Sequence, residues 1–174
     1  MSSFVTVLGS DKGDAADLLS RKLAADWWTS NKGVTKGAFI WLYVTKPGAK
    51  EVPRAEAGFH AIYQASGPAL SSRDLVRNNP TINLDPSDPK HWVHIAVGSV
   101  DGDSPIRYLN QPVTRADLLA DPVLKTWQFT TTKGASASGT SISPAQEDAL
   151  KALAKAKNPT GAALLQTLFD RIPK

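Results

Sequence analysis

The alternation of apolar and polar positions predicts five strands along the chain. Residues 4–9 (FVTVLG) combine β-branched side chains with a Gly-Ser-Asp stop. Residues 38–45 (AFIWLYVT) are apolar on both alternating faces, so we expect both faces of this strand to be covered. Strands are also predicted over 57–65, 91–100 and 127–132.

Helical spacing of apolar residues predicts three amphipathic helices. In residues 14–25 (DAADLLSRKLAA) the apolar residues share one face, and the double tryptophan that follows is expected to end the helix. Residues 113–119 form a short predicted helix capped by Thr114. Residues 144–156 follow the cap residue Ser143, with acids early and lysines late, which is typical of a stable helix.

The remaining segments indicate one domain with a docked extension. Residues 160–171 predict a short helix that docks through Leu164, Leu165, Leu168 and Phe169. We expect one domain over 1–157 and a C-terminal helical extension over 158–174. Residues 66–90 form a long proline-rich connection, which in a compact domain is more often functional or docked than idle. Because regular crossover helices do not separate the strands, we expect an α+β fold built on a mixed, barrel-like sheet.

Composition excludes several classes of protein. The 174 residues fit one domain and are enough to bury a core. No run approaches ~18 consecutive apolar residues, so no membrane-spanning helix is expected. The first residues lack the basic flank and apolar stretch of a secretory signal. With no cysteine there is no disulfide, thiol nucleophile or cysteine-ligated zinc. We therefore expect a cytoplasmic protein that does not bind membranes.

Basic residues are concentrated in one window. The net charge is +4, and residues 31–54 carry that whole excess. The window contains Lys32, Lys36, Lys46, Lys50 and Arg54 against the single acid Glu51. A local basic surface suits a nucleic-acid backbone, because each neutralised phosphate releases condensed counterions. The alternative for so short a stretch is a solvated lysine-rich loop.

The titratable residues give little indication of catalysis. Among the three histidines, His91 and His94 point to opposite faces of their predicted strand, so they cannot share a metal without a bulge. Asp101 and Asp103 lie in a DGDSP turn that lacks the further ligands of a calcium loop. We expect a protein that is not an enzyme and holds no metal. A hydrolase using His60 or His94 would need a nearby aspartate converging on the same cleft.

The aromatic residues are more informative than the histidines. Trp27, Trp28, Trp41, Tyr43 and Trp92 lie at predicted element ends or on the second face of a strand. An indole ring stacks on a nucleobase with ~1–3 kcal/mol per base. Neighbouring residues on a helical turn diverge by about 100°, so one ring of the tryptophan pair can be buried while the other lines a cavity. The alternative is that both rings are core packing.

Several segments resemble the EVE domain family. Residues 78–100 place an acidic, proline-containing stretch before a Trp-initiated strand, and residues 112–129 and 140–153 are similar to the closing pattern of the family. GAFIWLYV and AGFHAIYQASG are similar to its paired strands, and the resemblance extends over residues 3–155. EVE domains belong with YTH and PUA domains to the PUA-like superfamily. The resemblance therefore implies a small PUA-like β-barrel with flanking helices that binds nucleic acid, often through a pocket for a modified base.

The resemblance also implies positions for a site. DWWTSNKG, at residues 26–33, occupies the place where YTH domains carry a cage tryptophan followed by small polar residues. The expected base pocket consists of Trp28 as stacking ring, Ser10, Thr29, Ser30 and Asn31 as hydrogen-bonding groups, and Trp27, Tyr43 or Trp92 as a second wall. Phosphate contacts are expected from Lys32, Lys36 and Lys133. The Arg-Asn-Tyr-Gln-Ala stretch usual in EVE domains is missing, and no tryptophan occupies the loop that carries the second cage ring in YTH domains.

We therefore expect a non-catalytic, cofactor-free reader domain that binds DNA or RNA and accepts a modified base, with Trp28 as the ligand-facing ring and Trp27 as packing. Several relatives are readers in modification-dependent restriction systems, so the resemblance also implies a restriction-system partner protein. The alternative is a module that binds a small molecule or a protein in the same pocket, without nucleic acid.

Overall fold

The structure is a computed structural model of the 174-residue chain. It describes residues 3–9, 13–23, 25–45, 56–95, 106–131 and 139–171. Within these ranges the strands are β1 (Ser3–Leu8), β2 (Asp26–Ser30), β3 (Phe39–Val44), β4 (Gly58–Gln64), β5 (Leu70–Ser71), β6 (His91–Ile95), β7 (Ile106–Thr114) and β8 (Thr140–Ile142). The helices are α1 (Gly13–Leu19), α2 (Ser72–Asn78), α3 (Arg115–Ala120), α4 (Gln128–Thr131), α5 (Pro144–Lys157) and α6 (Ala162–Phe169).

The strands form two sheets. The main sheet has the order β7-β4-β3-β1-β8, and the small sheet has the order β2-β6-β5. In the main sheet β1 runs parallel to β3 while every other pairing is antiparallel, so the sheet is mixed. Both pairings of the small sheet are antiparallel. The predicted α+β class and mixed sheet are confirmed. Among the described strands no ladder joins the two sheets into a closed barrel.

The central strand β3 is covered on both faces, as its apolar pattern predicts. All six of its residues are buried. Ile40, Leu42 and Val44 face the inner core, which also contains Trp28 and residues of β6 and α1. Phe39, Trp41 and Tyr43 face the helical core, which contains residues of α3, α5 and α6. The main sheet is therefore the middle of three layers, between the small sheet with α1 on one side and the helices on the other.

Several elements match the sequence pattern closely. Strands β3 and β4 lie within the predicted ranges, β1 is displaced from its predicted range by one residue, and β6 matches as far as residue 95. Residues 96–100, the rest of that predicted strand, lie outside the described residues. Helix α5 begins after Ser143, whose hydroxyl accepts the Gln146 amide while the Gln146 side chain accepts the Ser143 amide. Thr114 caps α3 with the same reciprocal arrangement. These caps are local, which is why sequence spacing finds them.

The helix expected over 14–25 is shorter than predicted. It ends at Leu19, and Arg21 follows with a φ of 57°. The amides of Arg21 and Lys22 bond back to the carbonyls of Leu18 and Asp17, which closes the helix in a Schellman motif. The double tryptophan therefore does not end a helix but lies on strand β2. Aromatic residues and threonine favour strands, and pairing with β6 outweighs the helical pattern before them.

The strand predicted over 127–132 is wrong. Asp121 accepts the amides of Val123 and Leu124 and starts a turn that leads into the short helix α4. Trp127 and Phe129 then pack in the helical core with ring centroids 4.9 Å apart. Tertiary packing outweighs strand propensity in so short a segment.

Besides β2, the sequence pattern missed three further strands and helix α2. Residues 66–90 contain β5 and α2, so this connection is partly regular. Strands β7 and β8 lack clean alternation, because β7 carries a bulge and β8 has only three residues.

The C-terminal helix α6 packs on the rest of the chain. Leu165 and Leu168 are buried in the helical core, and Phe169 packs against it. Leu164, expected in that contact, is 56% exposed, so it does not contribute to the docking. Asn158, which precedes α6, is buried. None of the described helices has both the length and the apolar character required to cross a bilayer.

Candidate nucleic-acid interface

The predicted pocket residues lie in three separate environments. Trp28 and Ser30 point into the space between the two sheets, Trp27, Thr29 and Trp92 lie on the other face of the small sheet, and Tyr43 lies beyond the main sheet. Ser10 and Lys133 lie outside the described residues. The described residues of the expected pocket are therefore not assembled as one site.

The register of β2 and β6 decides which rings face outward. Trp28 pairs with Val93, and both are buried in the inner core. Adjacent strand residues point to opposite faces, so the neighbouring pairs Trp27–His94 and Thr29–Trp92 point away from that core. We call these four residues the outer face. All four are half-buried.

Trp27 and His94 form a ring pair on this outer face. Their ring centroids are 5.0 Å apart and their planes are inclined by 53°. At that inclination the imidazole supports the indole without lying flat on it. Asp26 also fixes the local backbone, because its carboxylate accepts the Trp27 amide at 2.7 Å. The indole is thus positioned but remains partly accessible.

Trp92 is held in place by the start of helix α2. Its Nε1 donates to the Ser72 hydroxyl at 2.8 Å, and that hydroxyl donates to the Lys90 carbonyl at 3.2 Å. Ser72 is fully buried. Ser71 caps the same helix by accepting the amide of Asp74. A buried serine therefore sets the orientation of an indole that is still partly exposed, which reduces the side-chain entropy lost on binding.

One end of the small sheet is basic. The registers Ser30–His91 and Ser71–His91 bring the ends of three strands together. Three exposed cations lie within two residues of these ends: Lys32, Lys90 and Arg73. Lys90 is paired with Asp88 at 3.2 Å. The opposite end of β2 begins with the exposed acid Asp26, so charge varies along the face.

Trp28 is part of the inner core, which reverses the expected roles of the two tryptophans. It is only 4% exposed, whereas Trp27 is half-buried on the outer face. The reversal follows from the strand, where neighbours point in opposite directions, and the small sheet packs on the main sheet through the Trp28 side. A base cannot stack on Trp28 in this arrangement of the sheets.

Three polar atoms on the inner-core side have no hydrogen-bond partner within the described residues. They are the indole Nε1 of Trp28, the hydroxyl of Ser30 and the hydroxyl of Thr6. Each such group ordinarily costs about 1–3 kcal/mol. The interface between the two sheets therefore contains buried polar side-chain atoms without hydrogen-bond partners, whereas the backbone groups of the main sheet pair in its ladders.

Asn31 has a structural role in joining the sheets. Its Nδ2 donates to the Gly139 carbonyl at 2.6 Å, and its Oδ1 accepts the Gly33 amide at 2.8 Å. Gly139 in turn donates to the Val5 carbonyl of β1. Gly139 has a φ of 88°, and a Cβ there would lie 3.2 Å from the Asn31 nitrogen. The nitrogen and the oxygen of the Asn31 side-chain amide thus both bind groups within the protein instead of facing a base.

Tyr43 cannot form a wall with Trp28. The two residues lie on opposite sides of the main sheet, since Tyr43 belongs to the helical core. Its ring makes edge contacts with Phe59 at 5.1 Å and Phe129 at 4.9 Å. Burial raises the pKa of the Tyr43 phenol, and the Arg115 charge opposes that shift. Alternation along β3 placed it there, which the sequence pattern also indicated.

Two of the predicted phosphate-contact residues lie within the described residues, and Lys133 does not. Lys32 and Lys36 are both exposed on the turn that follows β2. That turn is held by the amide of Gly37, which donates to the Ala65 carbonyl at 2.7 Å. Both lysines are therefore available to a ligand, and Lys32 is the one adjacent to the outer face.

Among the described residues neither His60 nor His94 forms a hydrogen bond with a carboxylate, although the charge of Glu56 acts on His60. His60 Nε2 lies 2.8 Å from the Glu56 backbone carbonyl, and His94 contacts Trp27. Among the described residues no group of three histidines, aspartates or glutamates could hold a metal ion. The hydrolase alternative required a converging aspartate, and these contacts do not provide one.

These features define a mixed α+β protein with an accessible aromatic sheet face and a basic end. No protein-family model matches the chain, and no curated protein matches its sequence. Among solved structures, a hypothetical protein from Leishmania major is similar over 90% of this chain and 96% of its own, with a TM-score of 0.56 and 12% identity. A protein from Pseudomonas syringae is similar over 87% of this chain and 99% of its own, with a TM-score of 0.54 and 15% identity. At such identities the likeness shows the fold alone.

Sequence reasoning missed three residues of this surface. His94 belongs to the outer face because it pairs with Trp27, and only the strand register reveals this pairing. Ser72 and Arg73 belong to the connection over 66–90, where the Ser-Ser-Arg-Asp sequence is a helix-cap signal. That signal was available in the sequence and would have located the start of α2.

Proposed function

We propose that the chain is a nucleic-acid-binding domain that stacks a base on the outer face of the small sheet. The observation that carries the proposal is the pair of half-buried tryptophans, Trp27 and Trp92, on one sheet face that ends in exposed cations. Aromatic rings on a sheet with basic residues alongside are how proteins hold single-stranded nucleic acid. The proposal therefore assigns stacking to Trp27 instead of Trp28.

The local geometry supports Trp27 as the stacking ring. Trp92 donates its indole N–H to Ser72 and is fixed, while Trp27 rests against His94 at an inclination of 53°. Because the two ring planes are not parallel, the imidazole does not cover the broad face of the Trp27 indole, which stays available to a ligand. Thr29 lies on the same face and offers a hydroxyl to a base edge. A methylated base would gain apolar contact here, with about 0.8 kcal/mol for each methyl-sized group that becomes buried.

The cations support a backbone contact at one end of this face. Lys32 and Arg73 are exposed, and the strand registers place them beside the same end of the small sheet. Each phosphate that they neutralise releases counterions, so binding should weaken steeply with salt. Asp26 at the other end would repel a backbone. A bound nucleic-acid strand would therefore cross the outer face with its phosphates toward Lys32.

We also propose that the fold is of the PUA-like, EVE type. The two sheets would be the halves of the PUA-like barrel that the sequence resemblance implies. The parallel pairing of β1 with β3 in an otherwise antiparallel sheet supports this assignment. In this interpretation the domain reads a modified base, as the resemblance implies.

Trp27→Ala tests the proposal most directly. Binding of a fluorescently labelled single-stranded oligonucleotide, with or without methylated bases, should weaken by about 1–3 kcal/mol, and Trp27→Phe should retain part of it. Fluorescence anisotropy measures both variants at low salt. Equal affinity of Trp27→Ala and the parent protein would exclude this face.

A charge-matched pair tests the basic end. Lys32→Ala should reduce the slope of log affinity against log salt by about one. Lys125→Ala removes the same charge from an exposed position on the helical side of the main sheet and should leave the slope unchanged. Binding that is insensitive to salt would instead favour the alternative, a small-molecule or protein-binding module.

A further inference from the structure

A second candidate site lies at the C-terminal end of helix α1. It is a cleft of about 340 Å³, formed by α1, β4 and β7. Its polar lining comes from Arg21, Glu56, His60, Tyr108 and Asn110. None of these elements belongs to the small sheet, so the cleft is separate from the outer face. We call it the bulge cleft.

His60 reaches the bulge cleft because strand β4 is irregular at that residue. In the pairing with β3, Phe59 and Ala61 are matched to the consecutive residues Tyr43 and Leu42, so His60 is skipped. In the pairing with β7 the register also shifts between Phe59 and Ala61. Bulges re-aim side chains and are enriched beside functional sites. Here the bulge places an imidazole in a strand whose other six residues are buried.

Strand β7 makes a wider excursion opposite His60. Its partners to β4 change from Val113 to Tyr108, so the residues between them leave the ladder. The excursion is held from behind by Asn158, which is buried. The Asn158 side chain accepts the Gln111 amide at 2.8 Å and donates to the Gln111 carbonyl at 3.0 Å. The wall of the cleft is therefore built into the fold and is not a loose loop.

Arg21 is the cation of the bulge cleft, and its backbone conformation is unusual. It has a φ of 57° at the position after α1 where glycine is preferred. Its Nη2 donates to Asn110 Oδ1 at 2.5 Å, and its guanidinium carbon lies 5.7 Å from the centre of the Tyr108 ring. A strained backbone that carries a charged side chain into a cleft is a recurrent feature of ligand clamps.

We propose that the bulge cleft binds a small organic monocarboxylate, with the Arg21 guanidinium holding the carboxylate. Asn110 and Tyr108 position the guanidinium, whose planar fork can take a carboxylate through two parallel hydrogen bonds. Leu18, Leu19 and Pro112 provide an apolar wall for the body of the ligand.

The balance of charge favours a single negative charge on the ligand. Burial lowers the pKa of His60, an effect that the hydrogen bond to the Glu56 carbonyl and the Glu56 charge oppose, so the imidazole is neutral near pH 7 and provides no second cation. Its one N–H is used on the Glu56 carbonyl, which leaves Arg21 as the group that holds the carboxylate. Glu56 contributes a carboxylate to the lining. A polyphosphate would face one guanidinium and one opposing carboxylate. A monocarboxylate is matched to Arg21 alone.

Benzoate and benzamide form a suitable pair of probes, since they have the same shape and differ in charge. The backbone amide and histidine imidazole resonances would be followed by NMR during titration with each. Benzoate is expected to shift the resonances of His60 and Asn110 in a saturable way, and benzamide is not. Arg21→Gln should weaken benzoate binding about tenfold or more, because the loss of even one of the two charge-assisted hydrogen bonds costs that much.

Lys22→Gln is the matched control. It removes the same charge from the adjacent exposed residue and should leave benzoate binding unchanged. The proposal is overturned if benzoate and benzamide bind equally, or if benzoate gives no saturable shift at His60. Equal losses in Arg21→Gln and Lys22→Gln would also overturn it, because they would indicate a general charge effect. None of these outcomes depends on oligonucleotide binding.

Discussion

Two tryptophans on neighbouring layers show how packing decides the use of one residue type. Trp41 on β3 is fully buried, with Phe59 and Phe169 rings at 5.7 and 6.3 Å. Trp27 on β2 is half-buried and touches His94. Within the described residues both faces of the central strand of the main sheet are buried, whereas the outer face of the small sheet is half-buried. The indole of Trp41 on the main sheet packs in a core, whereas the indole of Trp27 on the small sheet remains accessible to a ligand.

The same contrast applies within the tryptophan pair. Trp28 contributes to the inner core, and Trp27 points away from it. Position on the strand determines which ring stabilises the fold and which is available for binding. The following changes test this division, from the largest expected effect on the free energy of unfolding to the smallest.

Trp28→Ala is expected to cost about 3–5 kcal/mol of unfolding free energy, the usual loss for a large buried aromatic side chain. Trp28→Phe should cost clearly less, because the indole N–H has no partner within the described residues and its removal frees no buried group. Urea unfolding measures both. If Trp28→Ala instead folded normally and lost only discrimination between modified and unmodified bases, Trp28 would be the ligand-facing ring.

Gly139→Ala should destabilise the junction between the two sheets by about 2 kcal/mol. An L-residue at a φ of 88° is strained, and its Cβ would press on the Asn31 backbone. The control is Gly161→Ala, where a Cβ meets no atom within 4 Å. Thermal unfolding of the two variants compares them. Similar melting temperatures would show that the junction yields easily.

Trp27→Ala should change the unfolding free energy by about 1 kcal/mol or less, since the ring is half-buried on a surface. The same variant is expected to lose oligonucleotide affinity. A loss of stability as large as that of Trp28→Ala would contradict the division between the two rings.

The smallest expected effect is a pH dependence that arises from His60 on strand β4. Burial lowers the folded-state pKa of His60 below its unfolded value. The unfolded chain therefore binds more protons in that window, and stability decreases as pH falls through about 6.5 toward the folded pKa. Unfolding curves of the parent and His60→Gln would be compared from neutral to mildly acidic pH. If the parent shows the same acid loss as His60→Gln, His60 does not cause it.

Strands β1, β3, β4 and β6, helix α5 and both reciprocal caps could be predicted from the sequence. Their signals are local: alternation over several residues, a cap with its partner three residues later, and acids before lysines. Lys32 and Lys36, which the sequence assigns to phosphate contacts, are exposed in the structure, and the contact itself stays a prediction. Features of this kind depend only on residues that are close together in the chain, so the sequence alone reveals them.

Only the tertiary structure decided how the faces are used. The helical interpretation of DWW separated the two rings by about 100°, whereas the strand separates them by half a turn and pairs them with His94 and Val93. Which side then becomes core depends on where a second sheet packs, and that sheet comes from residues far along the chain. The bulge at His60 arises in the same way, from partners on two other strands. Local propensity determines that a segment is extended, but burial of one face is a property of the whole layer, so the choice between packing and accessible rings is made only when the layers meet.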